Sequence, residues 1–526
     1  MNFYIIFLKK CFMGSNERET WNTKLGLVLA MAGNAVGIGN FLRFPVQAAS
    51  NGGGTFMIPY FIALVFLAIP IMWAEWAMGR LGGSKGHGSV VGIFHVLWKN
   101  PIAKYIGILG VVLPLGIIFY YVYIESWTLA YSFFSLTKKY FSLGNFTQMK
   151  DFLNNYQGVN SGFGVSLLAY IFFLITFTLN IWILRGGISK GIEVLAKIGM
   201  PILFIFSVVL MIKVFSIGAP DPLHPENNVF NGLGFIFNPD FSRIWDAKVW
   251  LSAAGQIFFT TSIASGAIHT YASYVKKDDD IALTGFTTVM TNEFVEVIFG
   301  ASIAIPIAFA FFGFNETLSI AKSGAFNLGF VAMPVIFANI PLGNIFGMIW
   351  FFLLFIAAIT SSVALTQPLV SFLEDELEMD RRKAVYFSAT IIFIASSVVI
   401  FGFNHGTVDE LDFWIGTFGL SLFAFIEVII FMWVYGADRA WEEITRGSKM
   451  NVPIMFKYIL KYLSPLIVFA IFVAWFFQQA PDIITMKNIA SDVDKLWRWG
   501  ARAVIIGFTI LMIILVKSSK RLNFGE

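Results

Sequence analysis

The sequence has 526 residues, of which 57% are hydrophobic and only 13% are charged, and its net charge is +4 at pH 7. Soluble proteins carry about 25% charged residues, so this composition excludes a soluble globular protein, a disordered chain and a nucleic-acid-binding domain. Cys11 is the only cysteine, which excludes an intramolecular disulfide.

Twelve apolar runs separated by short polar loops predict an all-α, polytopic membrane protein, since a helix needs about 20 apolar residues to cross a bilayer. The predicted spans are 25–49, 55–79, 105–136, 164–184, 191–214, 248–275, 282–312, 343–373, 383–402, 410–436, 455–477 and 493–517. No linker divides them. We therefore expect a single domain over 20–517, preceded by a segment 1–19 and followed by a tail 518–526.

Lysine and arginine are concentrated in every second connection, a pattern that sets the orientation of membrane proteins. Lys276 and Lys277 are one example, and Arg381 is another. The pattern predicts a multi-pass protein of the cell (inner) membrane with both termini in the cytoplasm. Residues 1–12 are assigned no function, and Met13 is an equally acceptable start.

The first predicted span is interrupted by three glycines and two asparagines within eight residues. They lie in the sequence Gly33-Asn34-Ala35-Val36-Gly37-Ile38-Gly39-Asn40. One interpretation is a Gly-x-x-x-Gly packing face in a continuous helix. The additional glycine and the two asparagines favour the other interpretation, a break in the helix.

The sixth predicted span contains a second polar stretch, Thr260-Thr261-Ser262-Ile263-Ala264-Ser265-Gly266. In a continuous helix these hydroxyls would bond back to the preceding turn. Interruptions at matching positions of two halves instead indicate a transporter binding site. Two five-helix repeats, at about 25–214 and 248–436, would each begin with an interrupted helix.

A broken helix presents both kinds of backbone group to a ligand. Carbonyls at the end of the first half carry partial negative charge and suit a cation, whereas amides at the start of the second half suit an anion. Sodium is a hard cation that prefers oxygen ligands. The two breaks therefore predict a site that holds sodium and a substrate carboxylate side by side.

The motifs around the breaks resemble those of the neurotransmitter:sodium symporter family. The similar segments are Gly33-Asn34-Ala35-Val36-Gly37-Ile38-Gly39-Asn40-Phe41-Leu42-Arg43-Phe44-Pro45, Asn51-Gly52-Gly53-Gly54, Tyr120-Tyr121-Val122-Tyr123-Ile124-Glu125-Ser126-Trp127, Gln256-Ile257-Phe258-Phe259-Thr260, Thr360-Ser361-Ser362 and Phe372-Leu373-Glu374-Asp375-Glu376. The resemblance covers about 20–516. It implies the LeuT-type fold, with five-plus-five inverted repeats, broken helices 1 and 6, and two added helices. It also implies sodium-coupled symport of neutral, hydrophobic or aromatic L-amino acids by alternating access.

Two sodium sites are implied by the resemblance. The first would consist of Ala35, Asn40, Thr260 and Asn292, and the second of Gly33, Val36, Ala357, Thr360 and Ser361. The substrate carboxylate would complete the first site, so ion and substrate would raise each other's affinity. The implied substrate-binding residues are Asn34, Ala35, Gly37, Ile38, Gly39, Ile117, Tyr121, Phe259, Thr260, Ser262, Ser265, Ser361 and Leu365.

Two gates are also implied by the resemblance. Arg43 and Asp412 would meet through water on the extracellular side. On the cytoplasmic side the gate would be formed by Arg18 and Asp375, supported by Trp21, Ser273 and Tyr274. Each of these charges also has an ordinary interpretation as a loop or interfacial residue, although Arg43 lies deep enough in the span to indicate a cavity.

Two positions refine the expected specificity. Relatives that require chloride carry a small neutral residue where this chain has Glu296, so the resemblance implies chloride-independent transport. Some relatives have a bulky aromatic residue where this chain has Ser265. The serine predicts a larger and more polar pocket that accepts bulky side chains.

Two other function classes, a membrane sensor and an enzyme, are alternatives to transport. A membrane sensor would bind an amino acid without moving it, whereas the two gates favour transport. An enzyme is disfavoured because the sequence has no Walker motif, no nucleophile elbow and no ligand-spaced Cys/His pattern. The expected cofactor is sodium, the expected partners are a small amino acid and the bilayer, and a homodimer remains open.

Overall fold

The structure, a computed structural model, describes residues 20–159, 164–478 and 480–524. Within these ranges the chain is mostly helical and contains no β-strand. Ten of the described helices are long and apolar enough to cross a membrane, and a bent helix pair at the start is an eleventh candidate.

The helices are labelled here in chain order. They are α1 (Lys24–Ala35), α2 (Ile38–Ser50), α3 (Gly54–Gly83), α4 (Val90–Leu97), α5 (Pro101–Leu136), α6 (Phe146–Gln157), α7 (Leu167–Arg185), α8 (Ile188–Phe215), α9 (Val229–Phe237), α10 (Ala247–Thr260), α11 (Ala267–Ala272), α12 (Ile281–Lys322), α13 (Ala325–Ala338), α14 (Gly343–Leu377), α15 (Arg381–Phe401), α16 (Thr407–Thr445), α17 (Met455–Ala474), α18 (Ala480–Thr485), α19 (Asp492–Ser518) and α20 (Arg521–Phe524). The long α14 packs along α5 in the centre of the bundle.

Every predicted span coincides with a helix or with a broken pair of helices. The sixth span consists of α10 and α11, which are too short to cross a membrane separately. The seventh is α12, whose helical course is interrupted at Gly313 (φ 72°, ψ 177°), next to the predicted end at 312. The all-α polytopic architecture expected from the sequence is therefore confirmed.

The first break separates α1 and α2, which are bent by 59° relative to each other. Val36 leaves the helix with ψ 103°, and Gly37 is extended as well. The Asn40 side chain caps the start of α2, because its Oδ1 accepts a hydrogen bond of 2.8 Å from the Gly37 amide. The continuous helix with a Gly-x-x-x-Gly face is thus not what this segment forms.

The second break lies between Thr260 and Ala267, and its backbone repeatedly enters the left-handed region. Ser262, Ala264 and Gly266 have φ values of 55°, 60° and 75°. Glu75 of α3 supports this segment, since its Oε1 accepts a hydrogen bond from the Ala264 amide. A continuous helix with a polar stripe is therefore excluded here too.

Gly266 is expected to tolerate no side chain. Its φ is in the region that favours glycine, and a Cβ would lie 2.0 Å from the Gly110 carbonyl oxygen of α5. We expect Gly266→Ala to lower the melting temperature and the yield of folded protein, measured by fluorescence-detected size-exclusion chromatography. The control is Gly255→Ala, where a Cβ meets nothing within 4 Å. Equal melting temperatures of the two variants would contradict this expectation.

Candidate functional site

A cavity of about 40 Å³ lies between the two helix breaks. Its lining residues are Asn34, Ala35, Gly37, Gly39, Asn40, Ile117, Tyr121, Phe259, Thr260, Ser262, Ser265, Ser361, Leu365 and Leu420. All the residues expected to bind substrate are among them except Ile38, which lines a neighbouring cavity. A volume of this size holds about one water molecule, so an amino acid can enter only if lining side chains move outward.

The four residues expected at the first sodium site are brought together around Asn292. One terminal amide atom of Asn292 lies 3.1 Å from the Ala35 carbonyl oxygen and 3.2 Å from the Thr260 carbonyl oxygen. The same atom is 2.8 Å from Asn40 Nδ2. If this atom is nitrogen, it donates to the two carbonyls. If it is oxygen, it forms a cluster of three oxygens with the two carbonyls. Which orientation the Asn292 amide adopts depends on the ligand that is bound.

The residues expected at the second sodium site also converge. Ser361 Oγ lies 3.3 Å from the Gly33 carbonyl oxygen, 3.5 Å from that of Val36 and 3.1 Å from that of Ala357. Thr360 Oγ1 lies 3.1 Å from the same Ala357 oxygen. A hard cation with oxygen ligands at about 2.3–2.6 Å places neighbouring ligands of an octahedron about 3.3–3.7 Å apart. The observed oxygen separations are thus near those of a hard-cation site.

Glu296 is fully buried beside the first oxygen cluster. Its carboxyl group accepts hydrogen bonds from Gln256 Nε2 and from the Thr260 hydroxyl. The Tyr60 hydroxyl lies 3.0 Å from Glu296 Oε2 and 2.7 Å from Glu293 Oε2. When the amide oxygen of Asn292 faces the two carbonyls, its Nδ2 lies 3.3 Å from Glu296 Oε2. The carboxylate therefore supplies negative charge at the edge of the cluster and orients the Thr260 hydroxyl.

A second cavity, of about 270 Å³, lies beyond the first and contains the residues of the expected outer gate. Both cavities are lined by Gly39, Tyr121 and Phe259, which therefore separate them. The Arg43 guanidinium lies 4.2 Å from the centre of the Phe259 ring. Among the described residues Arg43 and Asp412 line this cavity without a direct ion pair.

Tyr120 belongs to this arrangement, although the sequence motif around it indicated no role. Its hydroxyl donates a hydrogen bond of 2.7 Å to Asp412 Oδ1. Leu420 of α16 is a second addition, because it lines the small cavity together with Ser265 and Leu365. Neither was predictable, since one tyrosine in a motif or one leucine in an apolar helix carries no signal of its own.

The residues of the expected inner gate lie near α11. Trp21 Nε1 donates to the Tyr271 carbonyl at 3.1 Å, and Tyr274 Oη is 2.6 Å from Ser371 Oγ of α14. The Ser273 hydroxyl donates to the Thr270 carbonyl, and Asp375 lies near the end of α14. Arg18, the proposed partner of Asp375, lies outside the described residues.

Three buried acids were left without a role by the sequence, and the structure gives each of them neighbours. Glu125 accepts a hydrogen bond of 3.0 Å from Asn180, which in turn accepts one from Ser362. Glu75 and Glu427 both face His269. Sequence spacing conceals this last cluster, because its members come from three distant segments.

Comparison with known proteins identifies the family of this chain. The model of the Sodium:neurotransmitter symporter family matches residues 18–161 and 140–523. The sodium-dependent transporter MJ1319 of Methanocaldococcus jannaschii is 29% identical over 508 residues, which cover 95% of this chain and 98% of the relative. The sodium- and chloride-dependent GABA transporter 2 of Mus musculus is 25% identical over 502 residues, covering 87% of this chain and 80% of the relative.

Among solved structures, the chain is similar to MhsT in complex with L-phenylalanine. The TM-score is 0.74 at 28% sequence identity, and the match covers 87% of this chain and 99% of MhsT. This confirms the LeuT-type fold expected from the sequence. The family match covers nearly the whole chain, and the helices cross a membrane many times. The chain therefore belongs to the sodium:neurotransmitter symporter family and is a multi-pass, sodium-coupled transporter rather than an enzyme.

Proposed function

We propose that this transporter imports neutral L-amino acids with hydrophobic or aromatic side chains, that it binds two sodium ions, and that it does not require chloride. The observation that carries the proposal is the small cavity between the breaks, flanked by two clusters of oxygen atoms. With both termini in the cytoplasm, as the basic connections suggest, the cavity that contains Arg43 faces outward.

The ends of the cavity suit the two charged groups of an amino acid. At one end the start of α2 offers backbone amides at Ile38 and Gly39, beside the Tyr121 hydroxyl, and these suit a carboxylate. A Cβ on Gly37 would lie 3.3 Å from Tyr121 Oη and 3.2 Å from Ser361 Oγ. Glycine at this position therefore leaves the backbone accessible to a ligand.

The opposite end suits an ammonium group, because it presents carbonyl oxygens and a hydroxyl. The carbonyls are those of Ala35, Phe259 and Thr260 at the ends of α1 and α10. The Ser262 hydroxyl lies 3.0 Å from the Asn34 carbonyl oxygen, so it is held within this group of acceptors. Within the described part of the chain, no charged side chain lines the cavity, which favours a neutral substrate side chain.

Chloride independence is supported by Glu296, whose carboxyl group lies beside the first oxygen cluster and supplies a negative charge there when it is ionised. The archaeal relative MJ1319 and a relative from Haemophilus influenzae, 29% identical over 480 residues, are called sodium-dependent. The mouse GABA transporter, in contrast, is called sodium- and chloride-dependent.

A binding screen over the twenty amino acids, with and without sodium, tests this proposal. We expect Phe, Leu and similar neutral amino acids to raise the melting temperature of the purified protein in sodium chloride or sodium gluconate, but not in choline chloride. Stabilisation only by charged amino acids, or equal stabilisation without sodium, would contradict the proposed substrate class or the coupling.

Ser265 sets the space for the substrate side chain in this proposal. Its hydroxyl donates to the Ser262 carbonyl at 2.7 Å, so it is turned toward its own backbone. We expect Ser265→Phe to fill the cavity and weaken binding of Phe and Trp about 10-fold relative to Ala, since overpacking costs about 1–3 kcal/mol. The control, Ser265→Ala, should keep the wild-type ranking in a competition assay. Unchanged ranking in Ser265→Phe would place the side chain elsewhere.

A further inference from the structure

Three ionisable side chains form a buried cluster beside the second break, away from both oxygen clusters. They are Glu75 of α3, His269 of α11 and Glu427 of α16, which we call the buried triad, and all three are fully buried. His269 Nδ1 lies 3.5 Å from Glu75 Oε2, and His269 Nε2 lies 3.5 Å from Glu427 Oε2. Each ring nitrogen of the imidazole therefore faces one carboxyl group, and the two carboxyl groups also interact with each other.

The buried triad is attached to the second break on two sides. Glu75 Oε1 accepts the hydrogen bond from the Ala264 amide, in the part of the break with left-handed backbone. One turn further along α3, Gly79 packs against the carbonyl of His269, where a Cβ would lie 2.4 Å from the oxygen. A change in the charge or position of Glu75 therefore alters a direct contact with the second break.

The charges of the triad are compensated only within it. Two ionised carboxylates and a neutral imidazole carry two negative charges, and burying uncompensated charge is strongly unfavourable. The titratable groups that face His269 are Glu75 from α3 and Glu427 from α16. The other helices packed against α11, which are α1 and α14, contribute no further charged neighbour among the described residues. Two added protons would make the triad neutral.

We propose that the buried triad is a proton-binding site, separate from the sodium and substrate sites, whose proton occupancy is linked to the geometry of the second break. Both oxygens of Glu427, Glu75 Oε2 and both nitrogens of His269 have no hydrogen-bond partner among the described atoms. Each can therefore accept or share a proton. When the proton is on Glu75, its carboxyl becomes a weaker acceptor for the Ala264 amide, so proton binding loosens that contact.

One nitrogen of His269 and one oxygen from each carboxyl group lie within 4.8 Å of one another, so a metal ion is the alternative occupant of the triad. Protons are favoured because a single ion would use only one nitrogen of the imidazole, whereas both nitrogens face a carboxyl oxygen. Acidic and histidine side chains inside membranes commonly relay protons, and a proton can reach a fully buried site without a channel wide enough for a hydrated ion.

Infrared difference spectroscopy in lipid nanodiscs tests the proposal with the proton alone as the probe. Spectra are recorded between alkaline and acidic buffer containing choline and no sodium or amino acid. We expect a carboxylic acid band that is lost in Glu427→Gln and shifted in His269→Gln. The control is His405→Gln, which removes a histidine paired with Asp494 at 2.7 Å and should leave the band unchanged. A band identical in wild type, Glu427→Gln and His269→Gln would overturn the proposal.

Binding of radioactive sodium as a function of pH tests the linkage to the break without a substrate. We expect the apparent sodium affinity of the wild type to change at least about fivefold between acidic and alkaline pH. In His269→Gln the affinity should change less, while measurable sodium binding shows that the variant is folded. A pH dependence equal to that of the wild type would overturn the linkage, and zinc binding abolished by His269→Gln would show a metal site instead. Both readouts are independent of which amino acid is transported.

Discussion

Replacing Asn292 by alanine is expected to weaken sodium binding about 10- to 100-fold and to weaken amino acid binding by a similar factor. The substitution removes an oxygen from the first cluster and leaves the Asn40 amide without its acceptor. A buried polar group that loses its partner costs about 1–3 kcal/mol. Because the proposed site is shared, the loss of one ligand lowers the affinity for the other.

The measurement is equilibrium binding of radioactive sodium, followed by binding of the preferred amino acid at saturating sodium. Asn339→Ala is a matched control, since Asn339 lies in the connection after α13 and its side chain donates to the Val335 carbonyl at 2.8 Å. It should bind both ligands as the wild type does. Wild-type affinities for sodium and for the amino acid in Asn292→Ala would contradict the role of Asn292 and the shared first site.

Replacing Glu296 by serine is expected to make transport depend on chloride. The carboxyl group accepts hydrogen bonds from Gln256 and Thr260, and its removal leaves these donors around a vacated volume. A monovalent anion of suitable size can replace the lost charge and accept the same bonds. Without it, sodium binding should fall about 10-fold or more, because each unmatched buried donor costs about 1–3 kcal/mol.

Uptake or sodium binding is compared in chloride and in gluconate, an anion too large for the vacated volume. The wild type should be insensitive to the exchange, whereas Glu296→Ser should regain activity only in chloride. Glu296→Gln serves as the matched control, because it removes the charge without opening space and should remain impaired in both salts. Loss of wild-type uptake in gluconate, or equal activity of Glu296→Ser in both salts, would contradict the assigned role of this carboxylate.

Much of the fold could be predicted from the sequence because membrane helices leave a strong signal in hydropathy. The breaks were predictable for a further reason, since glycine and asparagine at membrane depth disfavour a continuous lipid-facing helix. The seventh span shows the same physics: its predicted end at 312 falls beside Gly313, where the helix is interrupted. The family motifs then placed the residues that line the small cavity.

The rest of the site depends on packing between segments that are distant in sequence. Tyr120 binds Asp412 across 292 positions, and Leu420 enters the cavity only because α16 packs beside it. The buried triad combines residues from α3, α11 and α16, so no spacing rule could have found it. The larger and more polar pocket expected from Ser265 stays a prediction, and the structure shows only that its hydroxyl donates to the Ser262 carbonyl.

Uptake into sealed proteoliposomes tests the central claim most directly. The purified protein is reconstituted, and a radioactive amino acid chosen by the binding screen is supplied outside with an inward sodium gradient. We expect accumulation above the external concentration, which is abolished when choline replaces sodium or when the gradient is dissipated. Sodium-dependent binding without accumulation would contradict symport and indicate a sensor that holds an amino acid but does not move it.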